Sequence, residues 1–173
     1  FDKLETAGRL PKIPIYVDSP LAVNATSVFE AHPECYDEDL QNYLLKDPNP
    51  FGFNDLHYVR SVEASKAINA SREPSVIISA SGMMTAGRVL HHLRNNIENE
   101  NTTIMVVGYC AKGTKGSKII NGAERVKIHG KSYAVNAEVE ILNGFSGHAD
   151  QDEMLKFIEA GQDRKKLRHI FLV

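Results

Sequence analysis

The sequence predicts an α/β fold organised on a parallel sheet. Three observations carry that expectation: apolar runs of strand length recur along the chain, helix-periodic segments separate them, and the connections are short. Residues 13–17 (IPIYV) read as a buried strand. It ends at Asp18-Ser19-Pro20, where Ser19 caps the next helix and Pro20 fits its first turn. Leu21, Ala25, Val28 and Phe29 then recur at helical spacing. Residues 36–46 form a weaker helix closed by the loop DPNPFG, residues 57–60 a short strand and residues 62–69 a short helix. Residues 75–79 (SVIIS) are a strand and Ala80-Ser81-Gly82 a turn. A helix is expected from Met84 to about residue 97, with Ala86, Val89, Leu90, Leu93 and Ile97 on one face. A strand at 102–107 (TTIMVV) leads through a glycine-rich loop to a short helix near 114–120. Residues 124–128 and 132–135 flank His129-Gly130-Lys131, a hairpin signal, and residues 137–142 alternate as another strand. After the loop NGFSGHAD, a helix near 151–159 is expected to carry Met154, Leu155 and Ile158 inward, and residues 169–173 (HIFLV) read as a last strand.

Composition narrows the class. The chain has 173 residues, 42% apolar and 24% charged, which is globular composition and excludes disorder as a description of the whole. Its two cysteines, Cys35 and Cys110, are too few for a disulfide framework or a Cys-based zinc site, and point to a reducing, cytoplasmic setting. No stretch approaches the ~18 apolar residues of a membrane span, so no membrane partner is expected. The chain opens on FDKLETAGRL without an initiator Met or a signal-like layout, and reads as cut from something larger. The net charge of −2 gives no global basic field, yet the charge is polarised. Residues 28–63 hold eight carboxylates against Lys46 and Arg60, whereas Lys112, Lys115, Lys118, Arg125 and Lys127 are opposed only by Glu124.

In parallel sheets, ligands sit beyond the carboxyl ends of strands. That rule singles out Asp18-Ser19, residues 79–82, residues 108–116 and residues 144–150. Ser79-Ala80-Ser81-Gly82 precedes a helix, where the Ser81 hydroxyl and Gly82 N–H could hold a phosphate, with Arg88 in the helix beyond; a plain capped turn explains the same residues. The loop GYCAKGTKG offers Lys112, Gly113, Thr114 and Lys115, with Lys118 following, as contacts to a phosphate backbone; a solvated loop is the alternative. Its lysine and glycines do not follow the G-x-x-x-x-G-K-[ST] order, which argues against an NTPase. His148, two residues before Asp150 in a glycine-containing loop, is placed for proton transfer, while Asp150 could instead cap the next helix. Adjacent His91 and His92 point ~100° apart on a helix and cannot face one metal, so one packed and one solvated residue are expected. No H-x-H, H-E-x-x-H or C-x-x-C occurs, so no metal ligands are assigned in this chain.

Four segments together, PIYVDSPLA, SASGMMTAGRVLHHL, VVGYCAKGTKG and NGFSGHADQDE, resemble in type and order the β-CASP branch of the metallo-β-lactamase superfamily, the RNA-processing nucleases. The similarity is greatest to prokaryotic members related to the cleavage and polyadenylation endonuclease subunit. It implies a Rossmann-like β-CASP cap over residues 1–143 and a short returning piece of the metallo-β-lactamase fold over residues 144–173. RNA would enter the cleft between the two, with Ser81 and Gly82 touching its phosphates. His148 matches the second of three β-CASP motifs and would act as general acid. The family's two zinc ions would belong to the full-length parent and none to this chain, since the H-x-H-x-D-H signature, the first β-CASP motif and the later ligands are absent.

The expected function is therefore the RNA-gripping part of a zinc-dependent ribonuclease, itself silent. The competing readings are a non-catalytic RNA- or nucleotide-binding α/β module and an interaction domain without a ligand. The turns at Ser81 and Gly113 are expected to line one rim. Residues 137–173, without their natural sheet partners, are expected to promote a homo-oligomer.

Overall fold

The computed structural model describes residues 1–142, 144–145, 149–161, 166 and 168–170. It is an α/β fold. An opening helix α1 (Asp2–Thr6) leads to β1 (Ile15–Val17), α2 (Pro20–Glu30), α3 (Glu38–Leu44), β2 (Leu56–Tyr58), α4 (Val62–Ala70) and β3 (Val76–Ile78). The three strands form a parallel sheet in the order β2-β1-β3, with Ile15 level with Leu56 on one side and Val76 on the other. Parallel neighbours need crossover connections, supplied here by α2 and α3 between β1 and β2 and by α4 between β2 and β3. The second half contains α5 (Val89–Asn96), β4 (Thr103–Val106), α6 (Lys115–Ile120), β5 (Arg125–Ile128), β6 (Lys131–Ala134) and β7 (Glu138–Ile141), followed by α7 (Gln151–Gly161). Here β4 pairs with β7 in parallel and β5 with β6 in antiparallel fashion. The expected single parallel sheet is thus divided among the described residues into a three-stranded and a two-stranded piece, with a hairpin beside them.

Local chemistry accounts for most boundaries. Ser19 accepts from Ala22 N–H at 3.3 Å with Pro20 at the first turn of α2. His129 and Gly130 both take positive φ, the conformation of a tight two-residue hairpin turn. Asp150 accepts from Glu153 N–H at 2.9 Å while Glu153 accepts from Asp150 N–H at 3.0 Å, a reciprocal cap that starts α7.

The main core belongs to the second half. Met84, Leu90, Leu93 and Ile97 pack with Ile104, Val106, Ile119, Val126, Ile128 and Ala137. On β5 the alternation of a half-buried strand puts Val126 and Ile128 inside and Arg125 and Lys127 outside.

The structure departs from the sequence reading at several points. The helix expected from Met84 starts at Val89, because Met84 and Gly87 both adopt positive φ and hold the intervening residues in turns. The apolar residues Leu21, Val28 and Phe29 of α2 are exposed, and Val23 is the one buried residue of that helix. Met154 and Leu155 face outward at 48% and 50% exposure, since no described element covers that side of α7. Residues 168–170 form no strand, and 171–173 lie outside the described residues. β7, placed in the segment expected to lack partners, has one in β4.

Candidate phosphate-binding site

The carboxyl ends of β1 and β3 converge on Asp18, whose side chain is fully buried. Ser65 Oγ donates to Asp18 Oδ2 at 2.5 Å, His92 Nε2 lies 2.6 Å from the same oxygen, and Arg88 donates to Oδ1 at 2.5 Å. Arg88 also donates to the carbonyls of Val59 and Arg60, and His92 Nδ1 sits 3.0 Å from Asn69 Oδ1. Burial pushes the Asp18 carboxyl up, but hydrogen bonds from Ser65, Arg88 and His92 outweigh it and hold the group below its ordinary value. His92 is the packed and His91 the exposed member of the pair, as their helical offset predicts.

This network engages two polar groups near the Ser81 turn. Arg88 faces Asp18. The Ser79 hydroxyl donates to the Asp18 carbonyl at 2.9 Å and so braces β3 against β1.

The Ser81 turn is closed by its own backbone: Ser81 N–H donates to Ala86 O at 3.2 Å and Val89 N–H to Ala80 O at 3.2 Å. Gly87 is required there, because its φ is +83° and a Cβ would run into the Ala80 carbonyl. Ser81 Oγ reaches Ala86 O at a long 3.4 Å, and Gly82 N–H has no protein acceptor among the described residues.

The second glycine loop packs against the first. Gly116 N–H donates to Met83 O at 3.1 Å, and Cys110 Sγ lies 3.5 Å from Gly82 O. A Cβ on Gly116 would sit 2.5 Å from Cys110 Sγ, so the close approach depends on glycine. Burial pushes the Cys110 thiol up from its ordinary value. Thr114 caps α6, accepting from Ser117 N–H and donating to Ala111 O, so its hydroxyl serves its own loop.

Where the loops meet, a cleft of about 560 Å³ is lined by Thr85, Gly113, Thr114, Lys115, Lys118, Arg125, Val126, Lys127 and Ser132. Of the expected residues it gathers Gly113, Thr114, Lys115 and Lys118, with Thr85 from the residues after the Ser81 turn, while Ser79, Ser81 and Gly82 stand outside the lining. Lys112 is exposed outside the lining. Thr85, Arg125, Lys127 and Ser132 were not singled out as site residues from the sequence, although the basic run over 112–127 was the available signal. Among the described residues, none of the cleft's four cations pairs with a carboxylate. His148 lies outside the described residues. Among the described residues no three His, Cys, Asp or Glu side chains converge as metal ligands, so these residues do not fit a zinc site. No helix among the described residues is long and apolar enough to cross a membrane.

With this geometry in place, the comparisons define the class of protein: the chain belongs to the β-CASP family. The Beta-Casp domain model matches residues 1–119, and the model of the Zn-dependent metallo-hydrolase RNA specificity domain matches residues 132–173. Among its relatives is the protein named ribonuclease TTHA0252 of Thermus thermophilus, 39% identical over 161 residues, covering 93% of this chain and 37% of the relative. Transcription termination factor FttA of Methanosarcina mazei is 33% identical over 163 residues, covering 91% of this chain and 25% of the relative. FttA of Cenarchaeum symbiosum is 32% identical over 180 residues, covering 99% and 27% respectively. The chain therefore spans about a quarter to somewhat over a third of the length of these relatives.

Proposed function

We propose that this chain is the RNA-gripping part of a zinc-dependent ribonuclease that works in the cytoplasm, with a β-CASP cap over residues 1–143 and a returning metallo-β-lactamase piece after them. The observation that carries this is a basic cleft with no carboxylate in its lining, walled by Gly113, Thr114 and Lys115 of one glycine loop and by Thr85 from the residues that follow the Ser81 turn. Ser79, Ser81, Gly82, Lys112, Gly113, Thr114 and Lys115 hold phosphates from the cap side. Phosphate contacts of this kind position a strand without reading its sequence.

His148 is the general acid in this reading, supported by its place in the NGFSGHADQDE segment. Zinc would supply activated water and charge neutralisation in the hydrolysis. No step through it is derived from this chain, which carries neither the H-x-H-x-D-H signature nor, among its described residues, a ligand cluster.

The test compares this chain with a protein of the relatives' length that contains it. The longer protein is expected to cleave single-stranded RNA, to stop when a chelator removes its zinc, and to lose at least a hundredfold in rate on His148→Ala. The 173-residue chain is expected to bind RNA weakly and salt-dependently, without turnover. Stoichiometric zinc together with turnover in the short chain overturns the assignment, as does a longer protein that cuts no RNA.

A further inference from the structure

We propose that the cleft between α6 and the β5–β6 hairpin is a binding site for a nucleotide phosphate, gripped by Arg125 with Lys115, Lys118 and Lys127. This deepens the RNA-binding reading above and rests on it.

The site is built rather than merely charged. Strand alternation puts Arg125 and Lys127 on the outer face of β5, directly above the buried Val126 and Ile128. Ser132 stands opposite Lys127 in the antiparallel register. Its hydroxyl accepts from Arg125 Nε at 3.1 Å and its carbonyl from Arg125 Nη2 at 3.1 Å. Two bonds thus fix the guanidinium plane, while Nη1 has no protein acceptor among the described residues. A guanidinium held this way loses little freedom when it meets an oxyanion. From the opposite wall, Lys115 and Lys118 sit three residues apart on α6 and share a face.

The lining also says what class of ligand fits. It holds four cations, three hydroxyl residues and no carboxylate, so its mutual repulsion is relieved only by an anion. No lining residue is aromatic, so no base is stacked and the grip is on the backbone. Lys118, Arg125, Lys127 and Ser132 extend the grip beyond the two glycine loops and across the β5–β6 hairpin.

The experiment titrates the chain with labelled single-stranded RNA carrying either a 5′-hydroxyl or a 5′-phosphate, with inorganic phosphate as competitor. Arg125→Gln and Lys127→Gln are each expected to weaken binding about three- to tenfold and to lower the salt slope by about one. Arg125→Lys, which keeps the charge and loses the fork, is expected to fall between. Circular dichroism confirms that each variant is folded. Equal loss on both RNAs assigns an internal phosphodiester to the cleft, and loss confined to the 5′-phosphorylated RNA assigns a terminal phosphate. Unchanged affinity and slope in Arg125→Gln and Lys127→Gln overturns the site. If Lys112→Glu still weakens binding in that case, the RNA-binding reading survives without this cleft; if the unaltered chain binds neither RNA nor phosphate, both are overturned.

Discussion

Two polar clusters, built from similar residue types, have opposite fates. Around Asp18 the guanidinium of Arg88, the imidazole of His92 and the hydroxyl of Ser65 surround one carboxylate and satisfy one another inside the protein. In the cleft, Arg125 and three lysines face each other with hydroxyls between them and no counter-charge in the lining. The first cluster is closed and serves the architecture. The second is open, and its electrostatics are completed only from outside. An arginine near a glycine turn is therefore no evidence of anion binding until its partners are known: Arg88 is matched by the Asp18 carboxylate, whereas Arg125 has no carboxylate partner among the described residues.

The largest effect expected from breaking this contrast is on the closed side. Asp18→Asn keeps the shape of the side chain but leaves Arg88 without its counter-charge. It is expected to cost on the order of 3 kcal/mol, lowering Tm by roughly 10 °C, measured by thermal melting near neutral pH.

Acid provides the next test. The folded-state pKa of Asp18 lies below its ordinary value of 3.8, so its contribution is complete above the ordinary carboxylate range and is lost as pH falls from about that value through the lower folded one. Stability measured by urea unfolding is expected to decline over that window, and the decline is expected to shrink in Asp18→Asn. The smallest effect belongs to the open side. Lys118→Gln is expected to leave stability within about 0.5 kcal/mol, or to raise it slightly by relieving repulsion. A large loss of stability there would erase the distinction between the two clusters.

What could be read from the chain beforehand follows the reach of each interaction. The Ser19-Pro20 cap, the His129-Gly130 turn and the Asp150–Glu153 reciprocal cap lie within a few residues of their own partners, so local pattern revealed them or left them as a stated option. The start of α5 was misplaced because an apolar stripe through Ala86 looks helical until the positive φ of Gly87 is known. The outward faces of α2 and α7 carry a genuine amphipathic pattern, but periodicity marks an apolar side without saying what covers it. Asp18 meets Arg88 and His92 across 70 and 74 residues, a distance over which no sequence pattern signals a contact. The candidate cleft was half legible: its lysines stood out as a basic run, whereas its second wall needed the β5–β6 register that sets Ser132 beside Arg125.

Helix α5 begins where these two worlds touch. Arg88 at its start and His92 one turn later tie it to the first sheet, while Leu90, Leu93 and Ile97 root it in the core of the second half. A rod anchored on both flanks cannot roll toward one without dragging the other. The Ser81 turn, bonded to the first amide of that rod, is thereby held at a constant spacing from the basic cleft, as two jaws of a caliper are held by their beam.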